Sequence, residues 1–403
     1  MKRTIFILAT LLGTTLAMAQ KSQGLALTPP MGWNSWNTFG TDINEKLVKE
    51  VADAFVKYGL KDAGYEYIVL DDGWMMRQRD ADYKLVPDPQ KFPNGLKALA
   101  DYIHAKGLKF GIYNCAGSQT CAGYPGSRGF EYQDAKQYAE WGVDFLKYDW
   151  CNTQNINAKG AYETMRNAIA ATSRPMVFSI CEWGDNNPWE WATEIGHMWR
   201  ISGDIINCWN CELSFGNFSS WGIWPIINMR KDIRKYSGPG HWNDFDMMEV
   251  GNGFPPAEDR VHFVMWCMVS SPLIMGNDVR TMSEETRKLL TNREIIAINQ
   301  DKLGIQGFRH INDGNFEVWV KPLDNNEWAI AFINMTEKEQ LLDFDWNKHP
   351  INDGLVDRSV EVNRQAYQLR DLINQKNMGS TQQKLNQRIA SHDVLLVRVT
   401  PLK

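Results

Sequence analysis

The stretch FLKYDWC, Phe145 to Cys151, sets Lys147, Asp149 and Cys151 on one face of an otherwise apolar strand, because alternate side chains of a strand share a side. A cation and a carboxylate in one row inside a sheet need a chemical reason. Comparable groups close other apolar runs: Trp33 and Trp36 in MGWNSW, Asp71 and Asp72 in IVLDD, Tyr113 in KFGIYN, Glu182 and Trp183 after FSIC, Arg200 and Asp204 in WRISGD, Asp244 and Asp246 in HWNDFDM. Carboxylates and cations hydrogen-bond hydroxyl groups, and an indole face covers the apolar side of a sugar ring, so the mixture suits a polyhydroxylated ligand. Two carboxyl groups flanking a glycosidic bond, one ionised and one holding a proton, would cleave it. Asp149 fits the ionised role, with Lys147 beside it to favour the charged form. Asp204, past the Ser202-Gly203 turn, fits the protonated role, where neighbouring carboxylates would raise its pKa. Residue types alone leave Asp71, Asp72 and Asp246 as equal competitors for that pair.

Other chemistries lack their residues. No glycine-rich phosphate loop or dinucleotide motif is present, and the 17 tryptophans favour a sugar over a phosphate ester. The seven histidines (104, 197, 241, 262, 310, 349, 392) are scattered without HxH or HExxH, so neither a metal nor a cofactor is expected. Seven cysteines are too sparse for a disulfide scaffold, although one or two bridges suit an oxidising compartment. Cys208-x-x-Cys211 has no second CxxC and no thioredoxin-like helix, so a local structural pair or free thiols is expected there. The formal net charge of −5, with no basic run, argues against nucleic acid as a partner.

The elements that must position these groups alternate. From Leu27 to about Ala297, eight short apolar strands (MGWNSW, EYIVLDD, KFGIYN, FLKYDW, MVFSICE, MWRISGD, HWNDFDM, PLIMGND) are separated by helical stretches such as Glu45 to Lys61, Gly95 to Lys106, Tyr132 to Trp141 and Ala158 to Thr172. This predicts an α/β fold, a (β/α)8 TIM barrel, with a doubly wound sheet as the alternative. In a barrel the strand C-termini form one mouth, where the polar groups above would converge. After Gln300 the period shortens to alternation in FEVWV, EWAIAFINM and DVLLVRVT, which predicts a C-terminal antiparallel β-sandwich. The expected division is a signal peptide at 1–19, a catalytic barrel at 20–302 and a β domain at 303–403. The leader has Lys2 and Arg3, an apolar run from Ile5 to Leu16, and Ala17 and Ala19 ahead of Gln20. Cleavage near Ala19 would leave a secreted or periplasmic protein with no membrane span. It removes two cations and no acid, so the charge of −5 becomes −7. Asn217-Phe-Ser219 and Asn334-Met-Thr336 are glycosylation sequons.

The segments TPPMGWNSWNTF, IVLDDGW, GLKFGIYNCAGSQTCAGYPGS, WGVDFLKYDWCN, WRISGD, GPGHWNDFDMMEVGN, SSPLIMGNDVR and IAINQDKLGIQG together resemble glycoside hydrolase family 27, the α-galactosidases and α-N-acetylgalactosaminidases. The likeness runs in order from about Leu27 to Gly307. It implies a retaining double displacement on terminal α-D-galactosyl units of an oligo- or polysaccharide. Asp149 would be the nucleophile and Asp204 the acid that turns base, with their carboxyl groups about 5 to 5.5 Å apart. By the same resemblance Cys121 would pair with Cys151, Trp33 would supply a stacking wall, and Asp71 and Asp72 would hold the hydroxyls at C4 and C6 with Tyr113 and Lys147. Arg200 would face the 2-position, with Asp246 and Met247 closing the opposite edge. Two adjacent aspartates cannot both point inward by strict alternation, so the strand end must twist at Gly73.

Glu182 and Trp183 are bulky where relatives that accept a 2-acetamido group carry small residues, which favours galactose; Glu182 pairing with Arg200 is the alternative for that carboxylate. An α-N-acetylgalactosaminidase, a β-L-arabinopyranosidase and a catalytically dead galactose-binding protein are the competing functions. A larger acid at Asp71 or Asp72 would suit arabinopyranose, and loss of Asp149 or Asp204 would suit a dead scaffold. The chain departs from the family at Gly73, where many relatives have Cys, so an early disulfide is missing, and Cys181 lacks an obvious partner near Gly196. It departs also at Phe245, where Pro is frequent, and at Asn207, where an acid is.

Overall fold

Short runs of three to seven residues, rich in apolar and aromatic side chains, form the strands of a parallel sheet. The computed structural model describes residues 20–216, 218–230 and 232–402. The signal-peptide expectation and Asn217 of the first sequon lie outside them. Eight strands make the sheet: β1 Met31–Asn34, β2 Tyr67–Val69, β3 Lys109–Cys115, β4 Phe145–Asp149, β5 Val177–Cys181, β6 Met198–Arg200, β7 Trp242–Asp244 and β8 Leu273–Met275. They follow one another in chain order, with β8 beside β1. Between β7 and β8 the circle is completed past the strand end, where Met248 N donates to Ile274 O at 2.7 Å and Gly276 N donates to Met248 O at 2.9 Å. This is the predicted TIM barrel.

Helices Glu45–Lys57, Gly95–Ala105, Glu131–Trp141, Ala158–Ala171 and Pro256–Met268 cover its outside. After β5 the helix shrinks to a single 3-10 turn, Pro188–Glu190. Along β4, Leu146 and Tyr148 face these helices. Phe145 points inward, where it packs with Tyr67, Val69, Val177, Met198 and Trp242 at the bottom of the barrel. Lys147 and Asp149 therefore continue the inward row toward the mouth, paired in register with Tyr113 and Cys115 of β3 and with Ser179 and Cys181 of β5.

The C-terminal region is antiparallel. A six-stranded sheet contains Phe308–Asn312, Phe316–Pro322, Trp328–Asn334, Tyr367–Asp371, Lys376–Ser380 and Val394–Pro401. Alternation splits its residues between two cores. Trp319, Ala329, Ala331, Ile333 and Leu396 join the barrel's core, while Val318, Val320, Ile330, Phe332 and Val397 pack against Leu342, Phe344 and Leu385 of a second layer. Asn334 of the second sequon is fully buried, and its Nδ2 donates to the carbonyls of Lys338, Ile389 and Ala390. It is closed to glycosylation in the folded protein. Among the described residues no helix is long and apolar enough to cross a membrane.

Candidate active site

The C-terminal ends of the barrel strands surround a cavity of about 1340 Å³. Asp71, Asp72, Tyr113, Lys147 and Asp149 line it on one side, and Trp183, Asp204, Asp246 and Met247 on the other. Asp149 ends β4, with 6 % of its surface exposed. Its Oδ2 accepts from the Tyr113 hydroxyl at 2.9 Å and its Oδ1 from the Trp150 amide at 2.9 Å, which fixes the carboxyl plane. Burial pushes Asp149 up to about 6; the positive Lys147 opposes that shift, and the negative charges of Asp204 and Asp71 add to it. The net direction is the reverse of that expected from Lys147 alone, because desolvation exceeds the attraction of a cation committed elsewhere. Lys147 Nζ donates to Asp71 Oδ2 at 2.7 Å.

Asp71 and Asp72 both reach the cavity because β2 ends at Val69, before either. Gly73 turns the chain at φ +89°. Asp71 Oδ2 also accepts from Asn34 Nδ2 at 2.7 Å, and Asp72 Oδ2 accepts from the Ala122 amide at 2.9 Å. Burial raises the Asp72 carboxyl despite the bond from the Ala122 amide. Cys121 and Cys151 form a disulfide that joins the loops after β3 and β4. Cys208 and Cys211 form a second, local pair. Cys121, Asp149 and Cys151 are the cluster with metal-ligand spacing among the described residues, but its sulfurs are bonded to each other and so are not thiolate ligands.

Asp204 lies beyond β6, its side chain half exposed, and its Oδ1 accepts from Arg200 Nη2 at 3.1 Å. The same nitrogen lies 2.6 Å from Asp246 Oδ2. Asp246 stands at φ +84°, a conformation held by its carboxylate, which accepts from the amides of Ile205 and Met247 at 2.7 Å each. The loop that carries Phe245 instead of proline is thus pinned by hydrogen bonds.

Three placements correct the sequence reading. Trp33 is fully buried, and its indole Nε1 donates to the Asn277 carbonyl at 2.8 Å, so it forms no wall of the cavity. Trp36 lines the cavity instead. Its signal was an Asx turn in which the Trp36 amide donates to Asn34 Oδ1 at 2.8 Å, lifting the chain off the strand path. Arg200, 2 % exposed, sits behind Asp204 and Asp246 and orients both carboxylates without lining the cavity. Glu182 is fully buried and does not pair with Arg200. Its Oε2 accepts from the amide and side chain of Asn186, its Oε1 has no partner, and burial pushes it up to about 7. The bulk at that edge is therefore Trp183, held at φ +59°.

A hairpin, Glu212–Ser214 with Ser219–Trp221, went unread in the sequence and forms the rim beside Asp204. Its signal was the Gly216-Asn217 pair between alternating residues.

Comparison with known proteins agrees with this geometry. Residues 28–301 match the family model described as alpha galactosidase A, and residues 313–399 match the alpha galactosidase C-terminal beta sandwich domain. The chain is 53 % identical to alpha-galactosidase A of Cellvibrio japonicus, over 98 % of this chain and 97 % of that one. With an alpha-galactosidase of Cyamopsis tetragonoloba it shares 46 % identity over 82 % of its own length and 78 % of the relative's. The crystal structure of alpha-galactosidase I from Mortierella vinacea superimposes with a TM-score of 0.87 at 36 % identity, covering 93 % of this chain and 98 % of that one. A barrel whose mouth gathers paired carboxylates, joined to a matching β-sandwich, accounts for both matches at once, and the chain belongs to the melibiase family, the α-galactosidases of glycoside hydrolase family 27.

Proposed function

We propose that the protein hydrolyses terminal, non-reducing α-D-galactosyl residues with retention of configuration. The observation that carries this reading is the pairing in one cavity of a buried carboxylate, Asp149, with a half-exposed one, Asp204. An Asp149 oxygen attacks the anomeric carbon as the bond to the leaving oxygen breaks, and Asp204 delivers its proton to that oxygen. Asp204, now ionised, takes a proton from water, whose oxygen displaces Asp149 from the sugar. Tyr113 and the Trp150 amide hold the nucleophile, and Arg200 holds the acid. Asp71, Asp72 and Lys147 supply acceptors and donors for sugar hydroxyls, and Trp36 offers an apolar wall. Trp183 narrows the edge where a 2-acetamido group would enter, which supports galactose over N-acetylgalactosamine. The leader-like residues 1–19 and the two cysteine pairs support export to an oxidising compartment.

The test is release of p-nitrophenol from the α-D-galactoside, the α-N-acetylgalactosaminide and the β-L-arabinopyranoside, beside Asp149→Ala, with the first-formed anomer read by NMR. The galactoside should lead, the variant should be inactive, and the α-anomer should form first. Binding of galactose without turnover would instead identify a sugar-binding protein, and a β-anomer would exclude double displacement.

A further inference from the structure

Resting on the α-galactosidase reading, the geometry points to a second function for the hairpin Glu212–Ser214/Ser219–Trp221: we propose that it is an aromatic platform for the sugar units of the leaving group, making the enzyme selective for galactosyl oligosaccharides over simple galactosides. The hairpin is bonded to the proposed acid itself. Trp221 N donates to Asp204 O at 2.9 Å, and Ile206 N donates to Trp221 O at 2.9 Å. A β-carbon at Gly203 would lie 2.6 Å from Ser219 O, so the turn before Asp204 and the hairpin touch directly. Because Asp204 protonates the departing oxygen, whatever that oxygen belongs to must lie on Asp204's side, against this element.

The chemistry of the wall changes there. Lys147, Asp71 and Asp72 line the cavity with Asp149, whereas Phe218, Trp221 and Trp183 line it with Asp204 and add aromatic faces among the polar Asp185 and Arg230. Phe215 and Phe218 stack at 4.8 Å with planes 17° apart, and each is 54 % exposed. Rings held open to solvent beside a cavity mark a binding surface, and flat apolar faces match those of pyranose rings. Size agrees: about 1340 Å³ exceeds the roughly 300–1,000 Å³ that holds a drug-sized ligand, and one monosaccharide leaves most of it empty. The base of the hairpin is fixed by the Cys208–Cys211 pair and by Trp209, stacked on Trp224 and on His392 of the C-terminal domain. A platform on a held base loses little freedom when sugar binds.

The experiment compares Phe215→Ala and Phe218→Ala with the unaltered protein on methyl α-galactoside and on the trisaccharide raffinose. Methanol needs the proton of Asp204 but carries no ring. Each variant should lose roughly five- to twentyfold in kcat/KM on raffinose, several times more than on the methyl glycoside. Phe218→Trp, which keeps a ring, should retain the preference. Equal losses on both substrates would mean that the hairpin only positions Asp204, and no loss on either would mean that it meets no sugar. Either result overturns the proposal. So would sedimentation showing a dimer that the alanine variants dissolve, since the rings would then be covered by a second copy. If the unaltered protein cleaves neither substrate, the α-galactosidase reading itself fails and takes this inference with it.

Discussion

Asp149 couples catalysis to stability through one buried charge. Its carboxyl is pushed up to about 6 by burial, and a nucleophile must be ionised, so kcat/KM should fall as pH drops through about 6. A profile still flat at pH 4 would remove Asp149 from the role. In folding the same shift works against the native state. An unfolded aspartate titrates near 3.9, so between about 4 and 6 the native state binds more protons than the unfolded chain, and stability declines as pH rises through that window. The contribution is fully present below about 4 and lost above about 6. Asp149→Asn removes the buried charge, and it should be inactive yet more stable at pH 7.5 by roughly 2–3 kcal/mol, at about 1.4 kcal/mol per pKa unit. Thermal unfolding should show that gap closing at pH 4; a variant no more stable at pH 7.5 would contradict the argument. The inward row of Lys147 and Asp149 was legible from a period of two. The partner of Lys147 was not, because alternation records which face a residue takes, whereas the 2.7 Å contact with Asp71 depends on how strand ends splay into loops. Trp33 and Trp36 differ for the same reason, since neither composition nor spacing marks where β1 stops.

The turn after β2 is the element on which the acidic side of the cavity depends. Gly73 adopts φ +89°, and a β-carbon there would lie 2.7 Å from Thr41 Cβ. A left-handed conformation and an overlap with a neighbouring side chain add, so Gly73→Ala should lower stability by about 2–3 kcal/mol. It should also depress turnover of the galactoside, because Asp71 and Asp72 immediately precede the turn. The urea midpoint and kcat/KM, measured together, check this; an unchanged midpoint would mean that the loop relaxes freely. All eight strands were readable because each is a short apolar run bounded by turn residues. The hairpin beside Asp204 escaped because its strands are only three residues long and Leu213, the apolar residue of the first, is exposed, so alternation is too short to register. The missing helix after β5 follows from Pro188, which starts a turn that Asn187, at φ +51°, sets apart from the chain before it.

The whole molecule behaves as one body if its two domains share a core, and the sheet alternation says that they do. Trp319, Ala329, Ala331, Ile333 and Leu396 face the barrel, and helix Pro256–Met268, with every residue from Val261 to Met268 buried, lies between. A helical stretch buried all round, as Val261 to Met268 is, must be covered on both sides. Polar contacts lock the same junction: Lys321 is fully buried, with its Nζ donating to the carbonyls of Cys267 and Ile298, and Arg234 binds the buried Asp353 through both terminal nitrogens. Removing the C-terminal domain would expose this helix and leave Arg234 without its carboxylate, so neither part should unfold alone. Calorimetry should give a single transition for the mature protein. Arg234→Met leaves Asp353 buried without its cation, a change worth roughly 3–5 kcal/mol. It should shift that whole transition to lower temperature and leave its shape single. Two resolved transitions in either protein would show that the domains are merely adjacent, and the stacking of His392 on Trp209 would then lend the rim beside Asp204 no stability from the C-terminal domain.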